Sequence, residues 1–140
     1  MYTKILVAIE NSVADQAVLR HIEALASLTG AQLLLVHVAD GFAARHFNDL
    51  ELRESDEIRD DRAYLARLCE DMAGKGMNCG ARLAMGDPAT ELMRVAAEEH
   101  VDLIAMSTHG HRFIQDILRG STADRVRHGV SVPVLMVRAK

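Results

Sequence analysis

Five short apolar runs punctuate the chain, at residues 4–9, 32–38, 79–85, 102–106 and 133–137, each about as long as an ordinary β-strand. KILVAI, LLLVHV and DLIAM are nearly continuous rather than alternating, as a strand buried on both faces of a parallel sheet requires. ARLAM is weaker, and VPVLMV opens beside a proline, which a sheet edge tolerates best. The first, second and fourth strands are therefore expected at the centre, with the third and fifth outside them.

Helix-period segments separate these runs. The first is expected to begin at Ser12, with an apolar stripe of Val13, Ala17, Ile22, Leu25 and Leu28, and to stop at Gly30. Ser12 with Asp15 three residues on forms a capping box. The second helix carries Ile58, Leu65, Leu68 and Met72 on one face and ends near Gly74 and Gly76. Asp87 as N-cap and Pro88 in the first turn announce the third, with Leu92, Val95 and Ala96 buried. The fourth starts at Ser121, with Asp124 three residues later, and carries Val126 before Gly129. Strands alternating with helices predict an α/β fold with right-handed crossovers. The expected architecture is a single doubly wound, five-stranded parallel sheet of order 3-2-1-4-5 with helices on both faces, one domain over residues 1–140.

The bulk properties narrow the function. Apolar residues at 49% and charged residues at 26% give an ordinary globular balance, not a disordered one. A net charge of −4 does not support a nonspecific grip on nucleic acid. No apolar run is long enough to cross a bilayer, and the N-terminus lacks a signal-peptide layout, so a cytoplasmic location is expected. Cys69 and Cys79 have no CxxC spacing. They are read as reduced thiols packed like small apolar groups, not as a zinc site or a redox pair. Residues 51–62 hold six acids and three arginines and read as a solvated helix face. The stretch before them, with Phe42, His46 and Phe47, reads as a surface loop, and His37 in its apolar strand as a satisfied core histidine.

Ligands of an open parallel sheet bind beyond the carboxyl ends of its strands, where chain order reverses. That places the site at the ends of the first and fourth strands. The fourth runs into Met106-Ser107-Thr108-His109-Gly110, then nine residues, then Gly120-Ser121-Thr122 and a helix. Gly120 lets a ligand approach the main chain, and a helix start offers free amides to an anion. The same pattern also serves as a plain turn and cap. GxGxxG after the first strand, GxxxxGK[ST] and GxSxG are absent. His109 and His111 lack an evident third ligand for a metal, and Arg112 and Arg119 are positioned to steer phosphates or simply to face solvent.

With KILVAIENS, LLLVHV, GDPATEL and MSTHG, nine residues, GSTADRV and VPVLMVR in place, the chain resembles the universal stress protein family over essentially its whole length. Its ATP-binding branch carries G-x2-G-x9-G-[ST]; Gly110, the spacer and Gly120-Ser121 match, while Ser107 stands at the first glycine. The resemblance implies that Ala8, Glu10, Val38, Met106 and Ser107 surround an adenosine, Val38 through its backbone. It implies that Gly110, Gly120, Ser121 and Thr122 hold the phosphates of ATP, or of ADP or AMP, accompanied by Mg2+. Glu10 replaces a usual aspartate, and Ser107 is tolerable only if that position needs neither a left-handed backbone nor close ligand contact. The family also pairs through its last strand, which implies a homodimer through the edge from Val134 to Val137. A nucleotide-dependent regulator of the stress response follows, with no catalytic residue assigned. The alternatives are a slow ATPase assisted by Glu10 or His109, and a ligand-free dimeric interaction module.

Overall fold

A computed structural model describes residues 1–40, 56–108 and 122–139. The described elements run β1 (Lys4–Ala8), α1 (Ala14–Thr29), β2 (Gln32–Asp40), α2 (Asp56–Gly74), β3 (Cys79–Gly86), α3 (Pro88–Glu98), β4 (Leu103–Thr108), α4 (Thr122–Gly129) and β5 (Val134–Arg138). The strands form one all-parallel sheet in the order β3-β2-β1-β4-β5, as expected, with the three continuous apolar runs at its centre.

Strand side chains alternate between the two faces, and each face buries its own core. Ile5, Val7, Leu33, Leu35, Leu103 and Ala105 meet Val18, Leu19 and Ile22 of α1 and Leu65 and Met72 of α2. Leu6, Leu34, Val36 and Ile104 meet Leu92, Val95 and Ala96 of α3 and Val126 of α4. A central strand flanked by helices on both sides must be apolar at every position, which is why KILVAI shows no polar alternation.

The first helix departs from expectation. It begins at Ala14, not Ser12, and its buried stripe is Ala14, Val18, Leu19, Ile22 and Ala26. Val13 and Leu28 are 74% and 86% exposed. The cause is Asp15, which turns inward and is fully buried, so the helix phase follows it. The capping box forms in part: the Ser12 amide donates to Asp15 Oδ2 at 3.2 Å, but Ser12 Oγ accepts from the Ala14 amide. Gly30 closes the helix in a left-handed conformation (φ 73°), its amide donating to the Ala26 carbonyl. The start of α3 is as read: Asp87 caps the Thr90 amide at 3.0 Å ahead of Pro88. The described part of α4 starts at Thr122; Ser121, its expected cap, lies outside the described residues.

Candidate functional site

Strand pairing opens a crevice. β1 stays paired with β2 through Ala8 and Val36, and the Ile9 amide donates to the Val36 carbonyl at 2.8 Å. On its other side β1 pairs with β4 only as far as Val7 and Ala105. β4 instead continues along β5 to Thr108 and Arg138. The two central strands therefore part after Val7, at their carboxyl ends, where the chain leaves toward opposite edges of the sheet.

Three of the expected site residues flank this fork on a single face. Ala8, Val38 and Met106 all pack toward α3 and α4, Met106 buried and the other two half-buried. α4, whose described part starts at Thr122, packs on this same face through Val126. Arg125 ties the helix there, donating to Asp87 Oδ1 at 3.0 Å and to Thr90 Oγ1 at 3.3 Å. That guanidinium, then Thr90, holds the Asp87 carboxyl well below the usual carboxylate range. Ser107 follows Met106 and points to the opposite face, nearly buried at 8% exposure. Its backbone is extended strand and not left-handed, so no glycine is demanded there on conformational grounds. Gly110, Gly120 and Ser121 lie outside the described residues, as do His109, His111, Arg112, Arg119 and the stretch with Phe42, His46 and Phe47. Among the described residues no cluster of three metal-ligating side chains exists, and no helix is long and apolar enough to cross a membrane.

The loop from β1 to α1 is held from below by groups the sequence reading did not assign to the site. Buried Asp15 accepts from three successive amides, Glu10 at 2.9 Å, Asn11 at 2.8 Å and Ser12 at 3.2 Å. Its Oδ2 also accepts from the Tyr64 hydroxyl of α2 at 2.8 Å. Glu10 is exposed and accepts from Ser12 Oγ at 3.2 Å. Asn11 adopts a left-handed backbone (φ 63°), steadied by its side-chain amide donating to Asp61 Oδ1 at 2.9 Å. Asp61 is 5% exposed, and its other oxygen lies 3.1 Å from His37 Nε2. The opposite ring nitrogen, Nδ1, donates to the Ile9 carbonyl at 2.7 Å. His37 is thus the satisfied core histidine that was expected. Asp61 is a correction, because it does not belong to a solvated face. Its signal lay in the spacing: it falls three residues after Ile58 and four before Leu65, within the apolar stripe of α2.

Burial, then the hydrogen bond to Asp15, push the Tyr64 hydroxyl above its ordinary value. A raised value in the folded state means that the stabilisation is complete below the unfolded value of about 10 and is lost as pH rises past it. Urea unfolding between pH 8 and pH 11 should therefore show the native protein's advantage over a Tyr64→Phe variant shrinking above about pH 10. A pH-independent difference would contradict the assignment.

A sequence model described as the universal stress protein family matches residues 1–138. The chain is 29% identical to universal stress protein YxiE of Bacillus subtilis, over 99% of this chain and 100% of the other. It is 27% identical to universal stress protein MJ0577 of Methanocaldococcus jannaschii, over 100% and 97%. The solved structure of MJ0577 superposes with a TM-score of 0.77, covering 100% of this chain and 98% of that one. A universal stress protein from Archaeoglobus fulgidus in complex with dAMP shares the fold at 22% identity, with a TM-score of 0.70 over 97% and 98% of the two chains. A doubly wound sheet of this order, forked between its first and fourth strands and matched along nearly its full length, makes the chain a member of the universal stress protein family.

Proposed function

We propose that this chain is an adenine-nucleotide-binding regulatory protein of the stress response that holds ATP in the crevice between β1 and β4. The observation that carries the reading is the placement of Ala8, Val38 and Met106 on one sheet face at the fork, toward the helix that begins at Thr122. An apolar slot suits the flat face of adenine, and the strand edge at Val38 offers main-chain donors and acceptors to the base. Amides at the mouth of α4, with Gly120, Ser121 and Thr122, suit phosphate oxygens, together with Gly110 and an accompanying Mg2+. Glu10, exposed just past β1, is the residue assigned to the sugar. The occurrence of dAMP in the Archaeoglobus relative agrees with this reading.

Occupancy of the crevice, rather than turnover, is the working output in this reading. Binding of the nucleotide favours one loop state over another and so alters what a partner meets. β5 is an edge strand with half-buried Val134, Leu135, Met136 and Val137, and pairing two such edges gives a homodimer working in the cytoplasm.

Equilibrium dialysis with labelled ATP, with the same sample weighed by light scattering, tests both parts. Saturable binding at no more than one ATP per chain, by a particle of twice the chain mass, is expected. No saturation at millimolar ATP ends the nucleotide reading, and a monomer mass at high protein concentration ends the dimer. Conversion of bound ATP to ADP in step with time would move the assignment to the slow ATPase.

A further inference from the structure

Cys69 and Cys79 are ten residues apart and share no motif, yet their Sγ atoms lie 3.2 Å from each other. Cys69 sits on α2 and Cys79 is the first residue of β3. The turn between them is tight and well anchored. The amides of Lys75 and Met77 both donate to the Met72 carbonyl at 3.1 Å, and that of Gly76 donates to Ala73. Gly76 takes the left-handed conformation (φ 87°) that lets the chain reverse. Met72 is buried at one end, and Cys79 lies in register with Leu33 of β2 at the other. Both cysteines are half-buried against the α1–α2 face of the sheet. They pack like small apolar groups, as expected from their spacing, but as a pair held face to face, which that spacing did not predict.

We propose that Cys69 and Cys79 form a dithiol site that closes to an intramolecular disulfide by exchange with a small-molecule disulfide of the glutathione class. A bond length of about 2.05 Å requires the sulfurs to approach by roughly 1 Å, within reach of small side-chain rotations. In the first step one cysteine thiolate attacks a sulfur of oxidised glutathione, joining it in a mixed disulfide and expelling one glutathione thiolate. The thiolate of the second cysteine then attacks the protein sulfur of that mixed disulfide and expels the other glutathione. The protein loses two protons and two electrons, and one disulfide becomes two thiols. Burial, followed by the hydrogen bond to Cys69, pushes the Cys79 thiol up, so exchange is slow at neutral pH and quickens as pH rises. The product staples α2 to the edge strand, and α2 is the helix whose Asp61 and Tyr64 support the loop at Glu10.

The test is to hold the folded protein at pH 8 in glutathione buffers of increasing oxidised-to-reduced ratio, then quench and analyse it. Titratable thiols are expected to fall from two to none. The intact chain should become two hydrogens lighter, with tryptic peptides 68–75 and 76–82 joined despite cleavage after Lys75. The oxidised form should melt about 5 °C higher or more, because the link restricts the unfolded chain. The Cys69→Ser and Cys79→Ser variants should each retain one glutathione and show no such rise. Two thiols persisting in the most oxidising buffer, a lasting glutathione adduct on the native chain, or disulfide-linked dimers would each overturn the proposal. None of these readouts depends on nucleotide.

Discussion

Replacing Asp15 with alanine is expected to remove about 3–5 kcal/mol of stability. The carboxylate is fully buried and accepts from the amides of Glu10, Asn11 and Ser12 and from the Tyr64 hydroxyl. Each hydrogen bond to a charged group contributes about 1.5–3 kcal/mol, and a buried donor left without an acceptor costs about 1–3 kcal/mol. The full sum is not reached, because the loop lies at the surface and its amides can turn to water. Asp15→Asn keeps one acceptor oxygen but aims an NH2 group at donors, so it should recover only part of the loss. The check is the urea midpoint with an unchanged slope, which separates lost stability from altered compactness. A loss below about 1 kcal/mol would show that the loop is held by other means.

The same residue marks where sequence reading reached its limit. Strand positions were legible because a strand between two helix layers has no polar face, and KILVAI, LLLVHV and DLIAM show it. Asp87-Pro88 was legible because capping is a local matter of one side chain and one turn. The fork between β1 and β4 followed from chain order alone. What escaped were contacts whose two halves lie far apart in sequence. The phase of α1 is set by Asp15, whose partner Tyr64 is 49 positions away, and local periodicity favoured exposed Val13 and Leu28 instead. Asp61 was masked by the charges around it, although its partners His37 and Asn11 make it a buried acceptor. The meeting of Cys69 and Cys79 depends on how α2 docks on β3, which spacing does not encode.

An Ala8→Leu variant should bind ATP at least about 30-fold more weakly, a loss of roughly 2 kcal/mol, while keeping its affinity for inorganic triphosphate. Ala8 follows Val7, the last residue of β1 paired with β4, and its Cβ faces the α3–α4 side together with Val38 and Met106. Three added carbons there occupy the space assigned to the base, and a well-packed wall accepts extra volume only at a cost of about 1–3 kcal/mol. Part of that cost falls on the folded protein itself, so the melting temperature must be followed alongside. The comparison of ligands separates the two effects. A general loosening of the domain would weaken ATP and triphosphate alike, whereas a filled slot penalises only the ligand that carries adenine. Because phosphates are assigned to the mouth of α4 and the base to the sheet face, their affinities should come apart under this substitution. Equal affinity of the native and Ala8→Leu proteins for ATP would remove the slot from the site, and with it the reason to prefer adenine over any other phosphorylated guest.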